Sequence, residues 1–264
     1  MNRLDAALAA ARAARRTALI TFCTAGFPRR EDWPGVMGAM ERGGADVIEV
    51  GLPFSDPMAD GRTIQHADEV ALGQGVSVGD ALGWIRAYRD AGGACGVVVM
   101  TYYNPLLQYG QERFVGDAVA AGADGLVLVD VPPEEGGELR AAARAAGLRL
   151  VPLVAPTTSD ARLARLLDGA GGFVYCVSVT GVTGARRELP SDLPEFLARV
   201  RRHTELPLAV GFGIAAREQV EQLAPWCDAV VVGSAIVDAA RAGGDAAERI
   251  EGYVEVLSGR RRPA

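Results

Sequence analysis

Eight short apolar runs alternating with helix-like stretches along 264 residues predict an α/β fold, a (β/α)8 TIM barrel. Each run is rich in Val, Ile and Leu and is bounded by Gly, Pro or polar residues, as in parallel strands buried on both faces. Helices between successive strands impose right-handed crossovers, and eight strands suffice to close such a sheet on itself. An open doubly wound sheet usually starts with a Gly-rich turn. The first turn here reads Thr24-Ala25-Gly26-Phe27-Pro28 and contains no GxGxxG.

The elements follow in order. The start, MNRLDAALAAARAARR, has no signal-peptide apolar core because Arg12 interrupts it, so it reads as an extra N-terminal helix. The first three strands are expected at 18–26, 46–51 and 95–103. The gap after the second is much the longest, and its extra length is expected in loops on the C-terminal face. A helix over 111–121 leads through Gly122 to a strand at 125–132, and a helix over 134–146 leads through Gly147 to one at 148–156. Helices over 159–167, 193–203 and 216–223 then separate strands at 172–179, 206–213 and 228–236. The last strand runs straight into a helix. No linker or low-complexity segment divides the chain, so a single domain over 1–264 is expected.

Composition removes several functions. The net charge of −6 disfavours nucleic acid, whose phosphates need clustered positive charge. All 27 basic residues are arginine, so lysine Schiff bases, P-loop lysines and covalent pyridoxal attachment are excluded. Cys23, Cys95, Cys176 and Cys227 are isolated and read as buried free thiols of a reducing, cytoplasmic setting. With His66 and His203 the only histidines, no metal site is expected. No apolar run approaches the ~20 residues of a membrane span.

Glu49 interrupts the second strand, Val47-Ile48-Glu49-Val50-Gly51, and must face one of two apolar layers. Burial there is costly unless the carboxyl is paired or protonated. It is either an ion pair to an arginine of a packing helix or an acid/base of raised pKa. Its place near the strand end favours the second. Asp56 and Asp60 follow in a Pro- and Gly-punctuated loop, where Asp56 is most simply a turn residue and Asp60 is either a turn residue or a functional carboxylate. Tyr175 shares a face with Phe173 and Val177, and Asp130 at the fourth strand end reads as support for the site, which is favoured, or as a cap for the following helix.

Glycines cluster at the ends of the last three strands: Gly181 and Gly184 after the sixth, Gly211 and Gly213 at the seventh, and Gly233 with Ser234 at the eighth. Barrels often bind phosphate there through backbone N–H groups and a helix N-terminus, which needs no lysine.

The segment from Glu49 to Gly61, EVGLPFSDPMADG, followed by Thr63-Ile64-Gln65, resembles the signature of the tryptophan synthase alpha subunit family. So do Thr24–Pro28, Met100-Thr101-Tyr102-Tyr103-Asn104-Pro105, Asp130-Val131-Pro132, Ala155-Pro156-Thr157, Gly172-Phe173-Val174-Tyr175, Gly181-Val182-Thr183-Gly184 and Val210-Gly211-Phe212-Gly213. These matches keep their order over nearly the whole chain. The resemblance implies a lyase of tryptophan biosynthesis that cleaves indole-3-glycerol phosphate into indole and glyceraldehyde 3-phosphate. It implies Glu49 as catalytic acid/base, Asp60 as second catalytic carboxylate and Tyr175 as an active-site residue. Phe22, Met100, Val127, Val129, Thr183 and Phe212 would contact the substrate. Gly184, Gly211, Gly213, Gly233 and Ser234 would hold its phosphate. The implied partner is a beta subunit in an alpha2-beta2 complex, with pyridoxal phosphate only in that partner.

Arg62 departs from the family pattern, which has proline after Asp-Gly. The arginine either pairs with Asp60 and lowers its pKa or points to solvent and changes loop stiffness; the second is favoured. Beside the heteromeric lyase stand a stand-alone indole-releasing lyase, a scaffold with a dead site, and another phosphate-binding barrel enzyme.

Overall fold

The strands are β1 (Ala18–Thr24), β2 (Val47–Gly51), β3 (Gly96–Thr101), β4 (Gly125–Leu128), β5 (Arg149–Val151), β6 (Leu153–Val154), β7 (Val174–Val177), β8 (Leu208–Gly211) and β9 (Ala229–Val232). They come from a computed structural model that describes residues 2–177, 190–211 and 213–261. All neighbours pair in parallel, in the order β5-β4-β3-β2-β1-β9-β8-β7-β6. The two ends of that order are joined through Pro152 alone, so the sheet closes into a barrel. β5 and β6 are halves of one expected strand, split because proline has no N–H for the ladder. Eight staves therefore surround the axis, as the sequence predicts.

Two departures from expectation have local causes. The long gap after β2 is filled mainly by two helices, α3 (Arg62–Gly73) and α4 (Val78–Asp90), so residues 52–61 are the longest stretch of it left as loop. A capping box between Ser77 and Asp80 starts α4. The helix expected over 134–146 begins three residues late, at Gly137, because Glu135 and Gly136 donate to the Pro132 carbonyl in a turn ahead of it. A C-terminal helix, Ala246–Ser258, packs beside the Trp33–Gly43 helix and was not anticipated.

The N-terminal helix α1 (Arg3–Ala13) closes the bottom of the barrel. Leu4, Leu8 and Ala11 are buried against Ile20, Val47, Val98, Val127 and Phe173, the inward-facing residues of five staves. Glycines make room for this plug. A Cβ on Gly96 would lie 2.9 Å from the Leu4 backbone, and one on Gly172 would lie 2.6 Å from Leu4 Cδ2. Leu4→Ala would leave a void among residues too rigid to collapse, at a cost of about 2–5 kcal/mol. Urea unfolding should show a lower midpoint at unchanged slope.

With Val47 and Val98 in the inner layer, side-chain alternation also fixes Glu49 inward, because Glu49 pairs across the sheet with Phe22 and Val98.

Candidate active site

Above the plug, the barrel interior opens into a cavity of about 220 Å³. Phe22, Met100, Val127, Val129 and Tyr175 supply its apolar wall, and Asp60 enters from the loop after β2. Gly211, Gly213, Gly233 and Ser234 line the same space. These glycines do steric work. A Cβ on Gly211 would sit 2.6 Å from the Tyr175 ring, and one on Gly51 would sit 2.5 Å from the Phe22 ring. Only glycine lets both rings lie flat in the wall. Gly213 has a φ of 66°, a left-handed conformation that L side chains rarely adopt. Gly233 caps the helix Ser234–Arg241, so the first free N–H groups of that helix lie at the cavity margin. Thr183, Gly184 and Phe212 lie outside the described residues.

Glu49 is fully buried, and neither carboxylate oxygen has a hydrogen-bond partner among the described residues. The ion-pair alternative is therefore not realised among the described residues. Burial, reinforced by the charge of Asp60, pushes its pKa up to about 8. The acid is thus held protonated at neutral pH without a partner to consume its proton.

Asp60 is also buried, and burial raises its pKa while a hydrogen bond from Tyr102 opposes the rise. The Tyr102 hydroxyl donates to Asp60 Oδ2 at 2.8 Å and accepts the Ala59 N–H at 3.0 Å. Gln65 Nε2 donates to the Asp60 carbonyl at 2.8 Å. The loop is thereby fixed from both β3's end and α3's first turn. Burial raises the Tyr175 phenol well above the ordinary range, and the nearby carboxyls of Glu49 and Asp60 add to the rise once they are ionised. Its ring lies beside that of Phe173, 6.1 Å between centroids.

Arg62 does not pair with Asp60, which bonds to Tyr102 instead. It is exposed at the first position of α3, where proline is favoured, and Gly61 before it is extended at φ −77°, ψ 164°. Arg62→Pro is therefore expected to fold normally, gain about 0.4–1 kcal/mol and change turnover less than about threefold. Thermal melts and steady-state rates test this; an inactive variant would contradict it.

Nothing in the sequence around Tyr102 assigns it a role; the turn after β3 brings it opposite the Asp60 loop only in three dimensions. Asp130 lies in the turn beyond β4 and not in the strand. Its Oδ1 accepts the Tyr103 N–H at 2.8 Å and so caps the helix Tyr103–Tyr109 of the preceding unit. All four cysteines are free and buried, and burial pushes the Cys23 thiol up to about 12.

Comparison with known proteins decides the family. The model described as "Tryptophan synthase alpha chain" matches residues 8–260. The tryptophan synthase alpha chain of Roseiflexus castenholzii is 48% identical over 261 residues, which cover 98% of this chain and 100% of that one. The chain belongs to the tryptophan synthase alpha chain family. The structure of Mycobacterium tuberculosis tryptophan synthase superposes with a TM-score of 0.91 at 39% identity, covering 100% of this chain and 99% of that one. Tryptophan synthase of Saccharomyces cerevisiae is 46% identical over 237 residues, 89% of this chain but 34% of the yeast protein. As a family member the chain is an indole-3-glycerol phosphate lyase of tryptophan biosynthesis. Alpha chains pair with beta subunits, and the pyridoxal-phosphate-dependent step belongs to the beta subunit. Among the described residues, no helix is long and apolar enough to cross a membrane.

Proposed function

We propose that Glu49 and Asp60 carry out the retro-aldol cleavage of indole-3-glycerol phosphate in the barrel cavity, with Tyr175 lining the reacting centre. The observation that carries this reading is the buried Glu49, without a hydrogen-bond partner among the described residues, turned into the barrel interior and paired across the sheet with Phe22, which lines the cavity that also holds Asp60 and a rim of glycines. Neutral Glu49 protonates indole C3, which turns the ring into the electron sink. Its carboxylate then takes the proton of the side-chain hydroxyl as the C–C bond breaks. The bonding pair returns to the ring, indole and the aldehyde leave, and Glu49 is again protonated. Asp60 accepts the indole N–H and stabilises the positive charge that develops on the ring. No imine and no metal is needed for these steps.

Phe22, Met100, Val127 and Val129 hold the ring, together with Thr183 and Phe212 as the family resemblance implies. The N–H groups around Gly211, Gly213, Gly233 and Ser234, with Gly184, hold the phosphate, so that remote binding orients the bond to be broken. We read the chain as one barrel domain, and four free buried thiols support a reducing cytoplasmic setting. Indole formation from indole-3-glycerol phosphate tests the reading, with and without a tryptophan synthase beta subunit. Slow release by the isolated chain that rises on adding the partner is expected. No cleavage under either condition would overturn it.

A further inference from the structure

A third carboxylate lies behind the first two. Asp68, on the second turn of α3, is only 4% exposed. Thr24 Oγ1, at the end of β1, lies 3.1 Å from its Oδ1, and the Phe54 N–H of the Asp60 loop also bonds to it. Thr24 is itself fixed, since its carbonyl accepts the Trp33 indole N–H at 2.8 Å. One side chain thus joins three elements: a barrel strand, the loop that carries Asp60, and the helix that follows the loop.

The titratable groups facing Asp68 are Asp60 from the loop, Tyr102 from the turn after β3 and Cys23 from β1. None of the three is a cation. Burial and the charge of Asp60 push Asp68 up to about 8. Asp60 thus ionises first, and its charge keeps Asp68 neutral. Near pH 8 a second charge appears in the same buried wall. Its repulsion must either return a proton to Asp60 or drive the loop outward, and both remove the Asp60 carboxylate from the cavity.

We propose that Asp68 is a positioning residue for Asp60: buried between the end of β1 and the loop after β2, and bonded to Thr24, it ties the Asp60 loop to the barrel rim and so holds the Asp60 carboxylate toward the cavity. This rests on the reading of Asp60 as a catalytic carboxylate.

The test uses Asp68→Asn and Asp68→Ala in the complex with a beta subunit, with rates of indole formation from pH 6 to 9.5. Asparagine copies the neutral acid, so kcat at pH 7 should stay within about twofold of wild type. The alkaline limb of log kcat against pH should ease from a slope near −2, for Glu49 and Asp68 together, toward −1 for Glu49 alone. Alanine removes the tie, so kcat should fall about tenfold with KM little changed. A wild-type pH profile for Asp68→Asn, or wild-type kcat for Asp68→Ala, overturns the proposal.

A second readout needs no activity. The melting temperature of Asp68→Asn relative to wild type should rise with pH from 5 to 9, because only wild type must give up a buried proton. A constant difference means that Asp68 is not held neutral, and that too overturns the proposal. Asp60→Asn run alongside separates the two readings. If Asp60→Asn is fully active, the assignment of Asp60 fails whatever the Asp68 variants do.

Discussion

Glu49→Gln is expected to abolish turnover while making the protein more stable at neutral and alkaline pH. Glutamine has the shape of the neutral acid but no proton to give, so both proton transfers assigned to Glu49 are lost. General acid–base catalysis is worth about 10²–10⁴-fold, and one group here serves both steps, so the upper part of that range is expected. The stability effect follows from linkage. The folded-state pKa is about 8, whereas an unfolded glutamate titrates near ~4.3. Between those values the folded chain holds a proton that the unfolded chain has lost, so stability falls as pH rises through the window. At pH 7 the wild-type chain forgoes on the order of 3 kcal/mol that glutamine recovers. Melting curves of the two proteins should coincide near pH 4 and separate progressively toward pH 8. Wild-type turnover should in turn fall above about pH 8, as the acid ionises. A variant that still releases indole, or melts like wild type at every pH, would remove Glu49 from its role.

The second large effect is expected at Asp60 and its holder. Asp60→Asn keeps the side-chain volume but removes the charge proposed to face the indole N–H. Loss of one preorganised electrostatic contact typically costs about 10²–10³ in kcat. Tyr102→Phe should act through the same carboxylate but less severely, about tenfold, because the charge survives while its aim is lost. It also strips the partner from the Ala59 N–H. The sign of the accompanying pH change is fixed. Tyr102 lowers the pKa of Asp60, so phenylalanine must raise it, and the acid limb of the rate profile must move to higher pH. Steady-state kinetics from pH 4.5 to 8 on both variants check this. An unmoved acid limb in Tyr102→Phe would mean that the 2.8 Å bond does not govern Asp60.

The sequence determined the alternation of strands and helices, because strands buried on both faces need unbroken apolar runs and each is punctuated by glycine, proline or polar residues. It also singled out Glu49, since a carboxylate inside such a run has no solvated face to turn to. The total absence of lysine fixed what chemistry the chain must do without. The departures fall where local pattern is interrupted: Pro152 splits one stave, and a turn closed on the Pro132 carbonyl delays the helix at Gly137.

The tertiary structure alone decided which side chains meet. Tyr102 reaches Asp60 across 42 positions and Asp68 reaches Thr24 across 44, over connections that no local periodicity encodes. It also decided that α1 seals the barrel floor through Leu4, and that Asp130 caps a helix of the preceding unit. Local pattern reports what each segment can bury. Closing the sheet brings the ends of all its strands to one rim, and only that closure sets the distances on which proton affinities and carboxylate placement depend.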